Sequence, residues 1–112
     1  MISDGDVRIL ALWRDDPTEA PMTLDLRLKE GRCVAIWDLF GAFDLNGRGT
    51  RPFILRRDGC IDFGAAAPEE WRTDLRDAEM RVGSLFTIWF NAHDSGHYKI
   101  VKIAAPGSRE KV

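Results

Sequence analysis

Residues 22–37 read MTLDLRLKEGRCVAIW, and their spacing decides the fold class. Met22, Leu24, Leu26 and Leu28 alternate with Thr23, Asp25 and Arg27. A period of two belongs to a strand with one apolar and one polar face. Lys29-Glu30-Gly31 then forms a turn ending in glycine, which adopts a left-handed backbone at no steric cost. A three-residue loop sets Leu28 opposite Arg32, Leu26 opposite Val34 and Leu24 opposite Ile36, so Val34 and Ile36 join the apolar face. Cys33, Ala35 and Trp37 fall on the outer face with Thr23, Asp25 and Arg27.

Two later segments repeat this design around Arg57-Asp58-Gly59 and Asp94-Ser95-Gly96. In the first, a three-residue loop pairs Leu55 with Ile61 and Phe53 with Phe63, gathering four apolar residues on one face. Ile54, Arg56, Cys60 and Asp62 then point outward. A two-residue Asp58-Gly59 loop would mix polar and apolar residues on both faces. In the second, the same geometry pairs Trp89 with Val101, Asn91 with Lys99 and His93 with His97. Phe86, Ile88, Phe90, Tyr98 and Ile100 are assigned to the core. With a strand over Val7 to Trp13, the pattern predicts a mainly β domain, a small antiparallel barrel or sandwich of about seven strands.

One short helix is expected near residues 68–76. Pro68 suits a first helical position, Glu69 and Glu70 favour the positive end of the helix dipole, and Trp71 and Leu75 are four apart. Residues 38–51 (DLFGAFDLNGRGTR) are expected to be a glycine-rich connection, without regular structure over its second half. Residues 1–105 are expected to form a single domain and 106–112 a flexible tail.

A chain of 112 residues suits one domain, and 45% hydrophobic with 30% charged residues is ordinary for a globular protein. The net charge of −2 argues against a surface built around a nucleic-acid backbone, which calls for a cationic excess. The opening residues carry aspartates rather than an apolar run, and no segment is apolar for long enough to span a membrane as a helix. Cys33 and Cys60 form no CxxC pair, so two reduced thiols in a cytoplasmic protein are the expectation.

Four sets of residues are candidates for chemistry or recognition. His93 and His97, with Asp94, would make a metal site if the histidines face one another, but two imidazoles are fewer than a dedicated zinc site uses. Arg48, Arg51, Arg56 and Arg57 would bind an anion if clustered, although the acids between Asp58 and Glu79 offer them partners within the fold. Asp44-Leu45-Asn46-Gly47-Arg48 begins like a calcium loop but lacks the acids needed further on. Cys33 and Cys60 have no neighbouring base and are expected to be inert. Trp37 and Trp89 fall opposite the assigned core. A second covered face would account for them first, and otherwise they mark a partner surface together with Phe43 and the loop from Gly41 to Arg51.

These features favour a non-enzymatic binding or protein-interaction module, with a protein partner or a homodimer, no cofactor and no membrane. The alternative is a small barrel, possessing enzymatic or ligand-, anion- or metal-binding activity at the His93/His97 hairpin or the 44–57 loop. A nucleic-acid-binding barrel is the weaker alternative.

Overall fold

The computed structural model describes residues 5–45, 48–65, 67 and 69–105. Nine strands lie among them: β1 (Gly5–Trp13), β2 (Met22–Lys29), β3 (Arg32–Cys33), β4 (Leu39–Asp44), β5 (Thr50–Leu55), β6 (Cys60–Asp62), β7 (Glu70–Thr73), β8 (Leu85–Trp89) and β9 (Ser95–Ala104). Every pairing is antiparallel. The order β1-β9-β8-β7-β6-β5-β4-β2 closes through β1–β2, so eight strands make a closed up-and-down barrel and β3 is an added strand on β2. Closure removes the free edges that an open sheet would present. Among the described residues, no helix is long and apolar enough to cross a membrane.

The interior follows the period of two. Val7, Ile9 and Ala11 of β1, Met22, Leu24, Leu26 and Leu28 of β2, and Phe86, Ile88, Tyr98 and Ile100 of β8 and β9 are buried. An eight-stranded barrel is just wide enough for side chains to fill. The strand ends define two poles. One pole carries the ends of β1, β4, β6 and β8 from which the chain leaves the wall, and the other carries the turns after β2 and β5 and the connection 74–84. That last connection caps its pole by burying Leu75 and Met80 completely.

The second hairpin has the expected register, with Leu55 facing Ile61. Its loop closes through Arg56 N–H to the Cys60 carbonyl at 2.8 Å, with Gly59 at φ 92°. The first hairpin differs by one residue: Leu28 faces Cys33 and Lys29 faces Arg32. Its loop is the two-residue Glu30-Gly31, and both residues have positive φ, 54° and 78°. This is the type I′ pattern, whose twist matches the flanking strands. The odd shift turns the following side chains over, so Ala35 is buried while Val34 and Ile36 are exposed.

The third hairpin differs by six residues. Thr87 faces His97 and Trp89 faces Ser95, and the loop runs from Phe90 to Asp94. An even shift leaves the inward face unchanged, so the expected core residues on β8 and β9 are inside. No helix occupies the described residues near 68–76. Glu70–Thr73 is strand β7, followed by a single 3-10 turn at Leu75–Asp77. Trp71 and buried Thr73, two apart, share the inward face of β7, while Leu75 lies beyond the strand in the 3-10 turn. Over residues 38–51, β4 and the start of β5 replace much of the expected irregular connection. The expected tail, 106–112, lies outside the described residues.

Glu30 holds a left-handed conformation that suits asparagine better than glutamate. Glu30→Asn is expected to raise unfolding stability by roughly 0.5–1 kcal/mol, measured as a higher denaturant midpoint at unchanged slope.

Candidate functional site

The strongest departure from a plain barrel lies between β3 and β4. From Leu28 to Leu24 is four steps along β2, while their partners Cys33 and Gly41 are eight steps apart. Four residues are therefore extruded from the wall. The extruded stretch and its edges are apolar and exposed: Ile36 by 75%, Phe40 by 64%, Trp37 by 48% and Val34 by 42%. Exposed apolar residues clustered in this way mark contact surfaces more often than isolated ones do.

The excursion is held by one side chain. Arg76, in the 3-10 turn, donates Nη1–H to the Ala35 carbonyl at 2.9 Å and Nη2–H to the Trp37 carbonyl at 2.8 Å. The same guanidinium reaches the Leu55 carbonyl at 3.0 Å and the Arg56 carbonyl at 3.1 Å. The planar fork thus ties the excursion to the end of β5. Neighbouring bonds grip β3 as well: Arg32 donates to the Asp77 carbonyl at 2.8 Å and Met80 N–H to the Gly31 carbonyl at 2.7 Å.

Between the excursion and the β5–β6 turn runs a cleft of about 710 Å³, lined by Ile36, Trp37, Asp38, Arg56, Arg57 and Asp58. A second recess of about 280 Å³ lies on the other side of Trp37, beside Asp6, Asp25 and Phe40. Charged pairs frame it. Arg27 reaches Asp6 at 2.9 Å and Arg8 reaches Asp25 at 2.6 Å across β1 and β2. The Arg27 guanidinium also lies 5.6 Å from the centre of the Trp37 ring. Hydrogen bonding from Arg27 and its charge hold the Asp6 carboxyl below its ordinary value. Asp62 is lowered likewise, first by the Gly64 N–H and then by Arg56.

The structure disperses the other candidates. Trp89 is exposed by 41%, but on β8 beside Arg72 and Ser95, away from Trp37. Neither tryptophan lies in a second core. Phe43 is buried inside the barrel among Phe53, Phe63, Trp71 and Tyr98. The four arginines divide between the poles. Arg48 lies in the β4–β5 turn and Arg51 pairs with Glu69 at 3.1 Å, whereas Arg56 pairs with Asp62 and Arg57 lines the cleft.

The histidines do not face one another. His93 lies in a loop organised by Asn91, whose side-chain oxygen accepts the His93 and Asp94 N–H groups at 2.7 and 2.9 Å. His97 Nδ1 lies 3.1 Å from Thr87 Oγ1. Among the described residues, no three His, Cys, Asp or Glu side chains group to hold a metal. Cys60 is buried despite its outward register, and burial followed by nearby acids pushes its thiol up, which disfavours the reactive thiolate. Cys33 packs partly buried against the core.

Sequence reading located Trp37 but missed Ile36, Phe40 and Arg76. The available signal was the apolar run Val34-Ala35-Ile36-Trp37, which breaks the strict alternation of the preceding strand. Comparison with known proteins finds no matching family model, curated protein or solved structure.

Two outcomes follow from this geometry. Arg76→Met removes the four carbonyl contacts and is expected to lower stability by roughly 2–4 kcal/mol, with the largest loss of amide-exchange protection over residues 34–38. Tyr98, the sole tyrosine, donates its hydroxyl to the Ala20 carbonyl at 3.0 Å. Burial, then the charge of Glu19, pushes its phenol up to about 12 from 10.0. The folded chain keeps a proton that the unfolded chain releases, so this stabilisation is complete below pH 10.0 and is lost as pH rises towards about 12. Tyrosinate absorbance should therefore emerge near the upper value in folded protein and near the lower one in denaturant.

Proposed function

We propose that this chain is a non-enzymatic binding module that engages a protein partner through the Val34–Phe40 excursion and the adjoining cleft. The observation that carries this reading is the exposure of Val34, Ile36, Trp37 and Phe40 on and beside a stretch in which the chain runs four residues longer than the barrel wall needs. An unconstrained loop would lose conformational entropy on binding, whereas Arg76 has already ordered this one. Ile36, Trp37 and Phe40 would supply the apolar centre of the contact, and Asp38, Arg56, Arg57 and Asp58 its charged rim. The partner surface is accordingly an apolar knob or ridge bordered by charges of both signs. A second copy of the chain is one form it takes.

The test compares wild type, an Ile36→Asp/Phe40→Asp variant and Trp89→Ala in sedimentation velocity and in affinity capture from the source cells. The expected outcome is association that falls at least tenfold in the double variant and persists in Trp89→Ala. Loss of a wild-type dimer would make the partner a second copy. A strictly monomeric wild type that captures nothing, or capture equal in all three proteins, would sink the proposal.

A further inference from the structure

The cleft beside the excursion has two facing walls. Ile36, Trp37 and Asp38 form one, and Arg56, Arg57 and Asp58 of the β5–β6 turn form the other. Its four charges cancel, two acids against two bases. Two of them are engaged inside their own hairpin: Arg56 pairs with Asp62, and Asp58 Oδ1 accepts the Cys60 N–H at 2.9 Å. The other two are not. Among the described residues, the Asp38 carboxylate and the Arg57 guanidinium have no hydrogen-bond or ion-pair partner.

A surface charge without a partner is ordinary, because water solvates it. What distinguishes these two is their placement. They have opposite signs, stand on opposite walls of one cleft, and lie beside Ile36 and Trp37, exposed by 75% and 48%. The surface that would fill this cleft is an apolar ridge bordered by charge, and the excursion is itself such a ridge. A two-fold axis lying in the contact plane along the cleft would set the excursion wall of each copy against the turn wall of the other. The same operation carries Asp38 of one copy to Arg57 of the other, and symmetry repeats the pair. Burial of Ile36 and Trp37 would supply the affinity, and the two charge pairs the alignment.

We infer that the occupant of the cleft is a second copy of this chain, docked about a two-fold axis with Asp38 of each copy paired to Arg57 of the other, which rests on the excursion being a partner surface and names that partner.

The experiment is sedimentation velocity over a micromolar to millimolar concentration series on wild type, Asp38→Arg, Arg57→Asp and an equimolar mixture of the two variants. Wild type is expected to dimerise. Each variant alone sets like charges together at both symmetry-related pairs, so its dimerisation is expected to weaken at least tenfold. In the mixture one chain brings two cations and the other two anions, so the heterodimer regains both pairs and association returns to near the wild-type level. Neither side chain has a partner within its own fold, so circular dichroism and the thermal midpoint are expected to match wild type in both variants. A wild type that stays monomeric across the series, a variant that dimerises as well as wild type, or a mixture that stays monomeric overturns the inference. The partner-surface reading fails separately: a monomeric wild type that captures a different protein, with capture lost in Ile36→Asp/Phe40→Asp, removes the second copy and keeps the surface.

Discussion

Arg76 is the contact on which the shape of one pole depends. Four main-chain carbonyls, from Ala35, Trp37, Leu55 and Arg56, converge on one guanidinium. Carbonyls outside a ladder must find donors or water. A strand excursion and a strand end side by side collect several of them. One planar, permanently charged fork serves all four, which a lysine ammonium with three donors could not match. The 3-10 turn that carries Arg76 buries Leu75 beneath it, and Met80 follows in the same connection. The residue that orders the excursion is thus anchored by the segment that caps the barrel.

Closure is the other constraint. Gly41 faces inward between Leu24 and Phe53, and a Cβ there would lie 2.5 Å from the Thr23 carbonyl and 2.6 Å from the Phe53 ring. The wall is tight just where β4 rejoins β2 after the excursion. Beyond that point the aromatic rings of Phe43, Phe53, Phe63 and Trp71 fill the pole, in tilted and edge-on contacts 4.9 to 6.3 Å apart. The two poles therefore differ in kind. One is capped by buried aliphatic side chains and main-chain hydrogen bonds, and the other is an aromatic cluster with space at its mouth.

Alternation in the sequence carries parity more firmly than register. The third hairpin is displaced by six residues from the spacing implied by Asp94-Ser95-Gly96, yet Phe86, Ile88, Tyr98 and Ile100 stay inside, because six is even. The first hairpin is displaced by one, and Val34 and Ile36 change sides. Nothing in Lys29-Glu30-Gly31 announces that glutamate will adopt a positive φ, since three-residue and two-residue loops both end on that glycine. The helix expected near 68–76 has a related origin: a spacing of four, as between Trp71 and Leu75, fits either period, and Thr73 was the residue that separates them. Of the candidate surface, Trp37 was legible as an outward tryptophan. Arg76 was not, because its partners are carbonyls 20 to 41 residues away and carbonyls leave no trace in a sequence.

The exposed excursion is difficult to explain as a by-product of folding. A wall continuing from the Leu28–Cys33 pair would bring Trp37 opposite Leu24, and the barrel would close with four fewer residues. The longer path places Ile36 in water, near Phe40 on the outer face of β4, where large apolar surface gains nothing from burial. It also requires donors for the displaced carbonyls, and Arg76 provides them. A flexible insertion would be tolerated for little free energy and would need no such anchoring. An insertion that is apolar, exposed and tied at its main chain is what the proposed partner contact requires, and the charges of Asp38, Arg56, Arg57 and Asp58 along the adjoining cleft would orient such a contact.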